Sequence, residues 1–345
     1  MPEGHSVHRL ARQFQDVFGG ARLAVSSPQG KFADGAARID GHVLAAAEAH
    51  GKQLFLYFSH DLVMRVHLGL YGAWDFGGDS TFAGASSIGA PRRIGEQEVA
   101  GDPGDSGWAH ASEGPAESLR VGGGRGEYDG PPEPKGAVRV RLVSAHGWAD
   151  LRGPTACEVI TPAEAVAVRS RLGPDPLNNR PGDAAEFARR IRKSSTSIAL
   201  QLMKQEVLAG VGNVYRAEVL FRLGLDPMLP GTQLQREEAR ALWNDTAAIM
   251  ADGVRDGRII TTELRDRPSG LGVDVGRPLP AAAGQPAPRS SRHNAPGKPN
   301  IDVPAGDAHY AYKREGLPCR HCGTEIAMKE LGGRKLYWCP ACQGD

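Results

Sequence analysis

Two short stretches of this 345-residue chain carry reactive side chains at spacings that suit particular reactions. The first is Met1-Pro2-Glu3-Gly4. Removal of Met1, which a small second residue favours, turns Pro2 into a terminal secondary amine, and an α-amine with a pKa near ~8 is partly neutral and nucleophilic at pH 7. Such an amine adds to a carbonyl-like carbon and gives an iminium, an electron sink that permits elimination. Glu3 beside it supplies a carboxyl group for proton transfer. The same residues also have a plain structural use, because proline suits the first helical position and an acid is favourable in a first helical turn. The second stretch holds Cys319-x2-Cys322 and Cys339-x2-Cys342, with 16 residues between the pairs. That spacing suits Zn2+ bound tetrahedrally through four thiolates, with the segment ending in Lys335-Leu336-Tyr337-Trp338 as the intervening hairpin. Four protein ligands leave no open position, so the expectation is one structural Zn2+ and no organic cofactor. Cys157 lies before a capped helix and reads as a buried small hydrophobe.

Elements able to hold these groups are visible in the pattern. Val7, Leu10, Ala11, Phe14 and Phe18 share one helical face, and strand-like runs follow at Gln53–Phe58, Leu62–His67 and 137–143. Together they predict a helix with a β-meander. Thr161-Pro162-Ala163-Glu164 is a capping box opening a helix. Gly173-Pro174-Asp175-Pro176 then marks a boundary. Beyond it Asp183-Ala184-Ala185-Glu186 repeats the capping pattern, residues 194–209 read as a helix, Gly210-Val211-Gly212-Asn213 interrupts, and 214–223 resumes.

Composition separates the rest. The formal charge is only +1. Residues 75–135, however, carry 11 acidic and 5 basic side chains, net −6, so the remainder is +7 and suited to a polyanion. With 14 Gly and 6 Pro and no sustained periodicity, 77–135 reads as a disordered acidic insertion. A stretch of similar character at 267–308 reads as a flexible linker. The expected domains are therefore 1–76 with 136–172, then 173–266, then a zinc-ribbon finger at 309–345. No apolar run approaches the ~20 residues of a membrane span, and the N-terminus lacks a secretory pattern. A reducing cytoplasm is expected, where paired disulfides are disfavoured.

Four motifs occurring in order, namely Pro2-Glu3-Gly4, Gly51-Lys52-Gln53-Leu54, Gly210-Val211-Gly212-Asn213-Val214-Tyr215 with Glu218, and Gly333-Arg334-Lys335-Leu336-Tyr337-Trp338-Cys339-Pro340-Ala341-Cys342-Gln343, resemble the formamidopyrimidine-DNA glycosylase and endonuclease VIII family. The resemblance covers everything but the two low-complexity segments. It implies an α+β architecture: an N-terminal β-sandwich with an N-terminal helix, a helix–two-turns–helix domain and a C-terminal zinc ribbon, with DNA between the halves. It implies Pro2 as the Schiff-base nucleophile at the sugar C1′, Glu3 as proton donor and acceptor, and Lys52, Asn213 and Arg334 as phosphate contacts. For Asn213 the backbone N–H groups of its turn would share the phosphate, and a helix C-cap is the alternative use. Glu218 resembles a family glutamate near the damaged strand, with a helix-surface salt bridge as the other reading. The target base must leave the stack, and Leu70 and Tyr71 in Gly69-Leu70-Tyr71-Gly72 match the wedge loop of endonuclease VIII proteins, with Gly69 where the family has glutamine. Packing within a strand is the alternative for this pair.

The guanine-repairing branch carries Asp-Pro-Arg-Arg-Phe-Gly where this chain has Trp148-Ala149-Asp150-Leu151-Arg152-Gly153-Pro154. Oxidised pyrimidines are thus the expected substrates, and 8-oxoguanine or formamidopyrimidine the alternative within the class. His5-Ser6 replaces the usual Pro-Glu pair. The resemblance implies a monomeric glycosylase and AP lyase on damaged double-stranded or forked DNA, cytoplasmic and nucleoid-associated. A zinc-dependent protein that binds abasic or forked DNA without cutting it is the reading from another class.

Overall fold

The computed structural model describes residues 2–90, 130–267 and 303–344. Helix α1 (Gly4–Phe18) buries Val7, Leu10, Ala11, Phe14 and Phe18, the stripe expected from periodicity. Around it run nine antiparallel strands: β1 (Arg22–Ser26), β2 (His42–His50), β3 (Gln53–Phe58), β4 (Leu62–His67), β5 (Ala73–Gly78), β6 (Ser87–Gly89), β7 (Val138–Val143), β8 (Gly147–Arg152) and β9 (Ala156–Ile160), with helix α2 (Ala33–Ile39) after β1. Their order is β6-β5-β8-β7-β1-β2-β3-β4-β9. β1 meets β2 at only two pairs, Arg22↔Val43 and Leu23↔His42. The sheet therefore folds there, and its halves share one core. Leu54, Leu56 and Met64 from one half join Trp74, Phe76, Leu142 and Leu151 from the other. Phe14 of α1 stands edge-on to Trp74 at 4.8 Å and to Phe76 at 5.2 Å, filling the space between the layers.

The helical part comprises α3 (Pro162–Ser170), α4 (Asp183–Ile191), α5 (Ile198–Gln201), α6 (Asn213–Leu223) and α7 (Arg236–Asp256). The capping box of Thr161 and Glu164 is formed. The second expected box is not: Gly182, with φ 92°, is the cap of α4, and Asp183 instead accepts the Arg180 N–H at 2.8 Å. The helix expected over 194–209 shrinks to the four residues of α5, because the chain must reach Leu229 and Pro227 to satisfy the amides of Ile198 and Ala199. The C-terminal ribbon is β10 (Ala327–Leu331) paired with β11 (Arg334–Trp338), followed by α8 (Pro340–Gln343). Leu336 enters the helical core, and Tyr337 packs with Phe221 and Tyr310 in a separate cluster, so the ribbon is seated on α6.

Both expected low-complexity segments are partly structured. β5 continues through Gly77 and Gly78 and β6 pairs back along it, with Ile88 buried opposite Trp74. Pro132 accepts a hydrogen bond from Arg141 at 2.7 Å. Ordering here is supplied by a sheet edge rather than by the segment's own apolar content. Similarly, Val303 and Ala308 are buried with Ile260, and the Thr261 amide donates to Ala308 at 2.9 Å. The remainder, 91–129 and 268–302, lies outside the described residues. Among the described residues no helix is long and apolar enough to cross a membrane.

Candidate active site and zinc centre

Three backbone segments meet where α1 begins. The Gly4 N–H donates to the Gly210 carbonyl at 2.8 Å. Gly210 (φ 94°) and Gly51 (φ 57°) take conformations that suit glycine, and a Cβ on Gly51 would stand 2.9 Å from the Ala209 Cβ and 3.0 Å from the Gly210 nitrogen. This close approach brings Pro2 and Glu3, Lys52, and the turn before α6 to one place. Asp175 clamps it: its buried carboxylate accepts from the Gly51 N–H and His8 Nε2, both at 2.7 Å, and from the Leu177 N–H at 2.9 Å. Burial alone would raise the Asp175 pKa, but these partners, His8 foremost, bring it below the usual value.

Glu3 is fully buried. One carboxylate oxygen accepts the Gly212 N–H at 2.8 Å and the other the Val214 N–H at 2.9 Å, so an anion sits at the N-terminus of α6. These are the amides expected to hold a phosphate through the Asn213 turn. Glu3 already occupies them. Asn213 differs from expectation as well: it opens α6 instead of closing a helix, is buried, donates Nδ2–H to the Lys335 carbonyl at 2.9 Å, and accepts at Oδ1 from Arg216. Both ends of its amide tie the turn to β11.

Lys52 is half-buried directly before β3. Burial, and then the Arg334 charge, hold its pKa below the ordinary lysine value, while Glu3 pulls it upward. Arg334 is exposed at the start of β11, after the Gly332-Gly333 turn. Lys52 thus feels the charges of both Glu3 and Arg334. Three further residues belong to this surrounding. His67, at the end of β4, has its pKa lowered by burial and then by the Lys52 charge. Tyr312 has its phenol pushed up to about 12 by burial and by Glu3. Arg216 is fully buried and lowered to about 10 by burial, against the pull of Glu3. None of the three is legible as a motif, since each becomes informative only when β4, the 309–314 loop and α6 converge.

His5 lies beneath the carboxylate, edge-on to Tyr215 at 5.5 Å between centroids. Burial foremost, with the neighbouring charges of Arg9 and His8, lowers its pKa to about 3. Leu70 and Tyr71 lie in the turn after β4, outside any strand, and are 39% and 67% exposed. Gly69 has φ 67°, and a Cβ there would stand 1.8 Å from Thr155 Oγ1. A side chain at this position would be strained and would require Thr155 to shift. Residues 148–152 of the 148–154 segment lie in β8, where Asp150 is held bidentately by Arg141 at 2.7 Å and Arg152 pairs with Asp75.

Glu218 contradicts both of its expected uses. It is fully buried in α6, and its carboxylate accepts the N–H groups of Tyr310, Ala311 and Tyr312 at 2.8, 2.9 and 2.8 Å together with the Thr261 hydroxyl. With its acceptor sites filled it reaches neither DNA nor a surface cation. Its role in the fold is to anchor the loop entering the ribbon.

The Sγ atoms of Cys319, Cys322, Cys339 and Cys342 all lie within 4.8 Å of one another. Cys319–Cys342 is 3.9 Å and Cys322–Cys339 is 3.5 Å. Tetrahedral coordination at the usual Zn–S length of about 2.3 Å demands sulfurs about 3.8 Å apart, so the donor set fits Zn2+. Cys157 packs half-buried against the sandwich core, with its thiol pushed up to about 12 by burial.

Comparison with known proteins agrees with this geometry. Residues 1–106 match the formamidopyrimidine-DNA glycosylase N-terminal domain, 172–264 its H2TH domain, and 316–344 the zinc finger found in FPG and IleRS. The chain is 38% identical over 343 residues to Endonuclease 8 1 of Mycobacterium tuberculosis, covering 99% of this chain and all of the relative. It is 32% identical to the formamidopyrimidine-DNA glycosylase of Thermus thermophilus over 51% of this chain and 54% of that one. The fold matches that of the Lactococcus lactis Fpg in complex with an abasic site containing DNA, at a TM-score of 0.63 and 17% identity, over 99% of this chain and all of that one. With a full-length relative at 38% identity and all three domain models in register, the chain belongs to the formamidopyrimidine-DNA glycosylase and endonuclease VIII family of DNA glycosylase/AP lyases.

Proposed function

We propose that the chain excises oxidised pyrimidines from DNA through Pro2 and then cleaves the strand. The observation that carries this reading is the seating of Glu3: a buried carboxylate, fixed by the amides of Gly212 and Val214, directly beside the residue that becomes the terminal amine. In the reaction, the Pro2 nitrogen bonds to C1′ as the C1′–base bond breaks, and the base leaves with a proton. The C1′–O4′ bond then breaks as O4′ takes a proton from Glu3, and the ring-opened adduct is an iminium. Loss of a C2′ proton then expels the 3′ phosphate, and a second elimination expels the 5′ phosphate. Glu3 transfers protons in these steps: Oε2 accepts the Gly212 N–H and, at 3.5 Å, the Tyr215 N–H, whereas Oε1 accepts the Val214 N–H and keeps a lone pair that can take a proton. Lys52 and Arg334 supply positive charge for the phosphates flanking the lesion. Leu70 and Tyr71, exposed on the loop after β4, fill the place vacated by the base.

The four cysteines hold one structural Zn2+, which fixes the two knuckles and thereby the β10–β11 hairpin against α6. The preference for pyrimidines is supported by the 38% identity to an endonuclease 8 and by the 148–154 segment, which replaces the Asp-Pro-Arg-Arg-Phe-Gly of the guanine-repairing branch and whose Arg152 is paired with Asp75. Parallel excision assays on duplexes containing thymine glycol, 5-hydroxyuracil, 8-oxoguanine or formamidopyrimidine test the reading. Cleavage of the pyrimidine lesions at least tenfold faster is expected; faster cleavage of 8-oxoguanine overturns the substrate assignment.

A further inference from the structure

Among the described residues, four that are not glycine have positive φ: His60, Asp61, Asn179 and Lys313. Three have local reasons. His60 and Asp61 lie in the tight three-residue connection 59–61 between β3 and β4, a hairpin loop in which positive φ is common. Asn179 is a residue type that tolerates it, and its Oδ1 accepts the Trp243 indole N–H at 3.1 Å. Lys313, at φ 56°, has neither. It is the third residue of a turn closed by the Arg314 N–H donating to the Ala311 carbonyl at 3.1 Å, where glycine or asparagine is usual when φ is positive.

The turn is pinned from outside. Glu218 takes the amides of Tyr310, Ala311 and Tyr312, and the Arg314 guanidinium donates to the carbonyls of Tyr310 at 2.7 Å and Pro318 at 2.9 Å. A strained conformation persists when its surroundings over-determine it, and such positions gather at functional sites. The location fits. The Lys313 ammonium is 5.8 Å from the Tyr312 ring centroid, that ring stands edge-on to Tyr337 at 5.5 Å, and the Tyr312 phenol lies within the electrostatic reach of Glu3 and Arg334. The side chain is exposed. The left-handed turn therefore sets a cation at the rim of the site, on the ribbon side, braced by an aromatic ring.

We propose that Lys313 neutralises one backbone phosphate of the bound DNA, and that its unfavourable backbone conformation is retained because it aims the ammonium out past Tyr312. This rests on the reading of the Glu3–Lys52–Arg334 surround as the DNA-binding surface. An ammonium suits the role as a compact point charge with three donors, needing no fixed geometry at the phosphate.

The test measures affinity for a duplex carrying a tetrahydrofuran abasic analogue, from 50 to 300 mM salt, with the zinc-loaded full chain. Wild type is compared with Lys313→Gly, Lys313→Asn and Arg334→Ala. Both Lys313 variants accept the left-handed conformation and lack the charge. Each should bind about tenfold more weakly at 0.1 M salt, with the log–log salt slope reduced by about 0.9, the value of one released counterion. Lys313→Gly should melt at or above the wild-type temperature, because it relieves the turn. A slope unchanged in both Lys313 variants but reduced in Arg334→Ala overturns the assignment of Lys313. A slope unchanged in all three overturns the underlying reading of the surface. A lower melting temperature for Lys313→Gly overturns the claim that the turn is strained.

Discussion

Glu3 and Glu218 are both fully buried, and both are solvated by backbone N–H groups around the same helix, α6. Glu3 reaches the helix from α1 and occupies its N-terminal amides; Glu218 projects from the helix and gathers three amides of the loop entering the ribbon. The chemistry of desolvation is the same in each case. What differs is the remaining side of the carboxylate. Around Glu218 it is closed by the Thr261 hydroxyl. Around Glu3 the charge of Lys52 lies within electrostatic reach, and Pro2 precedes it directly in the chain. A buried carboxylate held by amides is therefore not in itself a catalytic feature, and the neighbour on its open face decides its use.

Exchanging the two roles by mutation should produce opposite losses. Glu3→Gln retains one amide hydrogen bond and should lower turnover about 10³-fold, the size of a general acid–base contribution, with a smaller loss of stability. Glu218→Ala strands three buried amides and should cost about 3–5 kcal/mol in chemical denaturation, while the folded fraction turns over within about threefold of wild type. Equal loss of turnover in both folded variants would break the distinction.

A smaller effect sharpens the picture at the α1 end. His5 is buried and neutral, with its pKa lowered to about 3. Between its unfolded value near ~6.5 and its folded value the unfolded chain binds the extra proton, so stability falls as pH drops through that window. His5→Gln should flatten the acid limb of the stability profile between pH 6.5 and 3. An unchanged limb would mean that His5 is protonated in the folded state.

Much of this is legible from residue types alone, and the exceptions share a cause. The face of α1, the β3 and β4 strands, the Thr161 cap and the cysteine pairs follow from short-range pattern, where each residue's environment is set by near neighbours. Asn213 and Glu218 lie in a recognisable motif, yet their partners, Lys335 and the 310–312 backbone, are about 90 or more residues away and invisible to it. His67 and Tyr312 escape notice for the same reason. The edge strand β6 and the burial of Val303 and Ala308 are hidden because segments poor in apolar residues gain order from surfaces supplied elsewhere. Gly69 looks like a lost contact in the sequence and is instead a steric requirement of Thr155.

In the proposed reaction the terminal amine of Pro2 forms the covalent bond to the sugar. Borohydride reduction during incubation with an abasic-site duplex measures it directly. A preparation with a free Pro2 amine should give a trapped protein–DNA adduct, and one retaining residues before Pro2 should give none while still binding the duplex. A trapped adduct of equal yield from the blocked protein would contradict the account and place the nucleophile elsewhere.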